Sequence, residues 1–234
     1  MDQTIEQLLN MPPDYRGVFI ADELNSLKLY ISSLEDYLPH IQDQYELREI
    51  NKFKNDTQAY NLQQEAEESR RIEQISTFTI PRMFNNSALL MIWACYEASV
   101  KDYANFIKID NKIESVLKYS GFNAINKYYS NDLELSLIDP YFNELSNLYD
   151  LRNQIIHSNG FMNSIFDSER NKARKKEREK IRKYIKSTEG IEIQEEVINC
   201  SSAFIKKQFD VVKKSLKDID HHIAKKKNWP CWID

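Results

Sequence analysis

The sequence predicts an all-α fold, and three observations carry that prediction. Apolar residues recur at alternating spacings of three and four, the period of a helix that buries one stripe. Glycine and proline are scarce, four and six in 234 residues, so turns are few. Only one short stretch, Gly190 to Gln194, reads as extended chain. A hydrophobic content of 41% and a charged content of 29% suit a soluble globular protein. At this length the chain is one domain, or one domain with an appendage, and can bury a core of ordinary size.

Leu24, Leu27, Ile31, Leu34, Leu38, Ile41 and Tyr45 form the first helical stripe, with Asp22 as its N-cap. Pro39 should kink or split this helix, because proline has no N–H to donate and its ring crowds the preceding turn. From Glu46 to Glu73 the chain is polar, with Ile50, Phe53, Tyr60, Leu62 and Ile72 as scattered apolar points. That pattern fits a long solvated helix, or an arm that packs on a partner. Thr77 to Met83 contains Pro81 and should break the helix. The strongest core helix follows, Asn86 to Ile107, with Leu89, Ile92, Trp93, Tyr96, Val100 and Tyr103 on a broad apolar face. Glu97 sits within that face and needs a partner, since a bare buried carboxylate is costly.

Ile113 to Tyr129 reads as a short helix or two punctuated by Gly121. Asp139-Pro140 opens the next helix, with proline suited to its first turn. Phe142, Leu145, Tyr149 and Ile156 share one face, which Leu148, Leu151 and Ile155 widen. Gly160 is the expected left-handed terminator. After the extended piece, Asn199 to Ser202 supplies N-caps for a final helix over about Ser201 to Lys225. The apolar tail Asn228-Trp229-Pro230-Cys231-Trp232 should dock on the body or across a dimer interface.

Charge and cysteine usage narrow the function classes. The net charge is −4, so no overall basic field drives nucleic-acid binding. Residues 170–186 nevertheless hold ten cations against Glu177 and Glu179. Such a block is either a solvated helix or a phosphate-contacting strip, with Arg174, Lys175, Lys176, Arg178, Arg182 and Lys183 as candidate RNA contacts. Tyr184 alone interleaves as an aromatic, so base stacking along the strip is not indicated. Cys95, Cys200 and Cys231 suggest neither a disulfide framework nor a zinc cluster. There is no HExxH, Walker loop or Gly-rich dinucleotide loop, so neither metal nor cofactor is expected. His221 and His222 point about 100° apart on a helix and make poor joint ligands. The longest apolar run, Ala88 to Tyr96, is nine residues, and no signal-peptide pattern opens the chain. The expectation is a cytoplasmic protein with no membrane segment.

One segment concentrates chemistry: Leu151-Arg152-Asn153-Gln154-Ile155-Ile156-His157-Ser158-Asn159-Gly160. Histidine can move a proton near neutral pH. Arginine can grip a phosphate through two parallel hydrogen bonds. Asn153 lies four residues before His157, so both can share a helical face. His157 falls in the last turn, where the helix dipole favours a cation. This pairing suits metal-free phosphodiester cleavage.

Arg152-Asn153-Gln154-Ile155-Ile156-His157 resembles the Arg-x4-His motif of the HEPN superfamily. The helix around Glu97 resembles that family's acidic-residue helix, and Gly190-Ile191-Glu192-Ile193 with the closing helix looks like the end of RiboL-PSP-type members. The likeness covers about residues 80–225. It implies an up-and-down helical domain over 80–234, with a basic insertion at 168–188 and an N-terminal helical extension over 1–79. It also implies a homodimer whose two motifs face one cleft, and a metal-independent endoribonuclease of the toxin–antitoxin or phage-defence kind. His157 would be the general acid/base, and Arg152 would neutralise the phosphate. Asn153 would orient the imidazole or donate to phosphate, and Glu97 would align Arg152 or His157. RNA would be the substrate, with an antitoxin or defence-system protein as partner. A toxin subgroup carries tyrosine two residues after the histidine; here Asn159 stands there. Two other readings remain open: a non-catalytic nucleotide- or RNA-binding or scaffolding module, and a structural role with His157 capping its helix and Arg152 paired to Glu97 or Asp150.

Overall fold

The computed structural model describes residues 16–55, 62–112, 121–162 and 171–233, and they form an all-α fold with one small two-stranded sheet. Helix α1 (Arg16–Asn55) buries Ile20, Leu24, Leu27 and Ile31. Beyond them Leu34, Leu38, Ile41 and Tyr45 are only half-buried. Asp22 lies inside α1 and caps nothing, because the helix already begins at Arg16. Nor does Pro39 break it. Pro39 is exposed, so the carbonyl it leaves unpaired can face water, and one long helix tolerates that local loss.

Helix α2 (Leu62–Gln74) runs antiparallel to the second half of α1. Gln42 Nε2 donates to the Ser76 carbonyl at 2.8 Å, and Arg71 reaches Glu49 at 3.5 Å. The polar stretch expected as one solvated helix is therefore, among the described residues, two helices that pack side by side, and residues 56–61 lie outside the described residues. The break expected at Thr77 to Met83 is instead a π-helical turn (Ile75–Thr79) leading directly into α3 (Ile80–Asn111). Pro81 sits in the first turn of α3, where a missing N–H costs nothing. Ile20, Leu24, Leu27 and Ile31 at the start of α1 share one apolar core with described residues beyond position 80.

Helix α3 is the central element and packs on α1 and on the helices Phe142–Ser158 and Ser202–Lys227. Leu89, Ile92, Trp93, Tyr96, Val100 and Tyr103 are all buried along it. Residues 113–120, part of the next expected helix, lie outside the described residues. Helix α4 (Phe122–Lys127) starts at Gly121, whose φ of 126° suits glycine, and ends in a π-helical turn (Tyr128–Asp132). Tyr129 hydroxyl donates to the Val100 carbonyl at 2.7 Å and fixes that turn to α3. A 3₁₀ turn (Asp139–Tyr141) carries the proline expected at a helix start and opens α5 (Phe142–Ser158).

The basic block forms α6 (Asn171–Lys186), with Ile181 and Ile185 buried; Arg170 and the Arg174 side chain lie outside the described residues. Strands β1 (Ile191–Gln194) and β2 (Val197–Cys200) pair antiparallel, with Ile191 opposite Cys200 and Gln194 opposite Val197. Glu195 and Glu196 make the turn, both at positive φ (50° and 64°), as a tight hairpin of type I′ requires. Phe161 bridges to Val197, joining the chain after α5 to this sheet. Helix α7 (Ser202–Lys227) is capped by Ser201, whose hydroxyl accepts the Phe204 N–H at 3.2 Å.

The apolar tail docks on the protein's own body. Buried Asp220 of α7 accepts the backbone N–H groups of Trp232 (2.8 Å) and Ile233 (3.1 Å) on Oδ2, and the Tyr103 hydroxyl (3.1 Å) on Oδ1. The Trp232 ring lies on the backbone of Gly17: a Cβ there would come within 2.3 Å of a ring carbon. Among the described residues no helix is long and apolar enough to cross a membrane.

Candidate functional site

Helix α5 positions the Arg152–His157 segment through the stripe it buries. Leu145, Leu148, Leu151 and Ile155 face the core. Ile156, expected on that face, is 47% exposed, because the buried arc centres on Leu148, Leu151 and Ile155. That rotation turns Arg152, Asn153 and His157 outward. The terminator is Asn159 in the left-handed conformation (φ 50°), one residue earlier than expected, with Gly160 also at positive φ (78°). Gln154 donates to the Ser158 hydroxyl at 2.6 Å and also to the Phe161 carbonyl, which staples this end closed.

Asn153 and His157 face one cleft, as their four-residue spacing requires. The cleft holds about 260 Å³ and lies between α5, α6 and the start of α4. Arg178, Lys180 and Ile181 of α6 form its opposite wall. His157 itself is exposed. Apolar side chains do not bury it, so its ring is open to solvent at the helix end.

Arg152 takes a different direction. It is half-buried, and its Nη1 donates to Asn153 Oδ1 at 2.8 Å. That contact fixes the Asn153 carboxamide. Glu97 lies within electrostatic reach of Arg152, but its hydrogen bonds come from Lys101 (2.7 Å) and Trp93 Nε1 (3.1 Å). Burial acts to raise the Glu97 pKa; Lys101, the Trp93 N–H and the Arg152 charge outweigh it and hold the carboxyl below its usual value. The other acidic candidate, Asp150, pairs with Lys180 at 2.6 Å. Neither carboxylate is bonded to Arg152 among the described residues.

The basic helix is not one uniform strip. Lys175, Lys176 and Lys183 are exposed. Arg178 is 9% exposed and lines the cleft. Arg182 is half-buried and bonds Glu196 at 3.2 Å.

Sequence reasoning missed Arg82, at the start of α3. It is 8% exposed, donates to the Asn159 carbonyl at 3.3 Å and lies over the Phe78 ring at 5.8 Å. Among the described residues its Nε has no hydrogen-bond partner and no carboxylate pairs with its guanidinium, and burial lowers its pKa. The signal was an arginine inside the apolar run Ile80-Pro81-Arg82-Met83-Phe84. Also missed was Asp220, whose spacing from Leu216 and Ile223 already placed it on the buried face of its helix. Among the described residues no three His, Cys, Asp or Glu side chains gather as a metal site. No protein-family model, no curated protein and no solved structure matches this chain.

Proposed function

We propose that the protein is a metal-independent endoribonuclease of the HEPN type, with His157 as its proton-transfer group. One observation carries the reading: His157 is exposed at a helix end and shares a polar cleft with Asn153, while Arg152 holds that carboxamide in place. His157 takes the proton from a ribose 2′-hydroxyl. The 2′-oxygen attacks the adjacent phosphorus, and the bond to the 5′-oxygen breaks. The leaving oxygen takes up a proton, giving a 2′,3′-cyclic phosphate and a 5′-hydroxyl end.

One imidazole cannot serve as base and acid in the same concerted step. The reading therefore includes a homodimer in which His157 of a second copy supplies the other group. The two Arg152 side chains would then stabilise phosphate charge across the shared cleft. Exposed Ile156 and Phe161 lie at the end of α5 and would supply apolar area for that contact. Lys175, Lys176 and Lys183 would meet the RNA backbone. By the same resemblance the protein acts as a toxin or phage-defence effector in the cytoplasm, restrained by an antitoxin or defence partner.

A non-catalytic RNA- or nucleotide-binding module is the second reading. It is favoured by the placement of Arg152, which within one protomer does not line the cleft that holds His157. Incubation of single-stranded RNA with the native chain and with His157→Ala, in EDTA, separates the two. Cleavage by the native chain alone, with cyclic-phosphate ends, is the expected result. Cleavage that survives the substitution removes His157 from the chemistry. RNA binding without cleavage by either chain leaves the binding module.

A further inference from the structure

A groove of about 650 Å³ lies between α1 and α3 and shares no residue with the His157 cleft. It runs along residues 19–27 of α1 and 91–98 of α3, about two helical turns or roughly 10–12 Å on each side. Leu27, Ala94, Cys95 and Ala98 supply its apolar surface. Ala94 and Ala98 stand one turn apart and are both exposed, so their small side chains leave this side of α3 open to close approach. Phe19 and Met91 also line the groove, 65% and 44% exposed, with apolar area that the fold itself does not cover.

The charge on this groove has one sign. Its polar members are Asp22, Glu23 and Ser26, all exposed, and no lysine or arginine among the described residues lines it. Neither carboxylate has a salt bridge among the described residues. Glu35 and Glu97, on the same two helices, are by contrast paired with Lys206 and Lys101. The negative field reaches the apolar surface: burial first, and then the Glu23 charge, push the Cys95 thiol up to about 11. Such a groove repels a phosphate backbone and attracts a cation.

We propose that the α1–α3 groove docks one basic amphipathic helix of a partner protein. The apolar stripe of that helix lies on Ala94 and Ala98 between Phe19 and Met91, and its lysine or arginine side chains meet Asp22 and Glu23. A helix laid into a groove anchors through residues three, four and seven apart, and two turns of groove accept one such set. A second copy of this chain is a poor source for it: the most basic helix, α6, has its apolar Ile181 and Ile185 already buried in its own fold. The surface is independent of the ribonuclease reading, since none of its residues belongs to the His157 cleft.

The probe is a fluorescent peptide of leucine and lysine, with leucines spaced three and four apart, titrated with the whole protein and read by anisotropy. Two controls accompany it: the same residues shuffled so that no apolar face forms, and the same pattern with glutamate for lysine. The patterned lysine peptide should bind, both controls should bind at least about tenfold more weakly, and the bound peptide should slow alkylation of Cys95. Ala94→Arg puts a long cation where the helix lies and should weaken binding about tenfold or more, with an unchanged melting curve because Ala94 is exposed. Asp22→Asn with Glu23→Gln should weaken it about 3- to 10-fold, and this effect should fade at high salt. Equal binding of either control, binding that survives Ala94→Arg, or Cys95 alkylation that ignores the peptide each overturns the proposal. Self-association of the native chain that Ala94→Arg abolishes overturns it in favour of a second copy as the occupant.

Discussion

Asp220 gives the sharpest test of how this fold is held. The carboxylate is fully buried and satisfies three donors: the Tyr103 hydroxyl and the N–H groups of Trp232 and Ile233. Asp220→Ala leaves all three without an acceptor, beside a small void. Each orphaned buried donor costs ~1–3 kcal/mol, and the tail can relieve some of that only by surrendering the burial of Ile233. Three such donors total ~3–9 kcal/mol if all stay buried, and relief by the tail should bring the net loss to about 3–5 kcal/mol. Asp220→Asn should cost less than ~1 kcal/mol: its amide oxygen can keep both tail N–H groups, and its N–H₂ can donate to a rotated Tyr103 hydroxyl.

The pH dependence has a definite sign. Burial raises the Asp220 pKa, against the lowering effect of the tail N–H groups, the Tyr103 hydroxyl and His221. The folded pKa therefore exceeds the unfolded one. The stability this contributes is fully present below the unfolded pKa and is lost as pH rises through the folded pKa. Relative to Asp220→Asn, the native chain should gain on acidification, opposite to a salt-bridged carboxylate. Urea unfolding followed by tryptophan fluorescence between pH 4 and pH 8 measures both effects. An alanine variant within 1 kcal/mol of native, or a gap between native and asparagine forms that ignores pH, would refute the reasoning.

Three more expectations are independent of the tail. His157→Ala should lower RNA cleavage by roughly 10²–10⁴-fold, the usual worth of a general acid or base, with an unchanged melting temperature because the side chain is exposed. Arg82→Met should stabilise by about 1 kcal/mol in urea titrations, since it removes a buried cation that has no counter-charge among the described residues. A loss of stability would show that the Asn159 bond and the Phe78 contact outweigh the desolvation. Gly17→Ala places a methyl group against the Trp232 ring, so the indole must leave its seat; a cost of roughly 1–3 kcal/mol and a red-shifted emission are expected, and an unshifted spectrum would contradict the packing.

Much of the helical framework was legible because burial needs a repeating stripe. Leu24, Leu27 and Ile31, and the Trp93–Tyr103 face, are where the three-and-four spacing puts them. Placing His157 in a last helical turn needed only the turn residues after it. The misreadings have local causes. Pro81 looked like a break, yet proline fits a first helical turn, and a π-helical turn absorbs the change of register before it. The β-hairpin was obscured by its turn: Glu195 and Glu196 adopt the left-handed conformation that asparagine and glycine usually signal. Asp220 was readable as buried from its spacing, but its partners come from main-chain groups of the tail, which carry no side-chain signature. The α5–α6 cleft depends on how two helices meet, so composition showed the basic block without separating buried Arg178 from exposed Lys175.

The seat of Trp232 on Gly17 also has a kinetic meaning. It joins residues near the two ends of the described chain, a contact that closes a long loop. The central packing of α3 against α7 closes a shorter loop, 117 residues from Tyr103 to Asp220, and once it exists the tail still has to find Asp220. Closure of the strap is then a late event, made after the main barrier. Substitutions at Gly17 or Trp232 should leave the refolding rate nearly unchanged and appear almost entirely as faster unfolding. The strap thus sets how long the native state lasts more than how quickly it is reached.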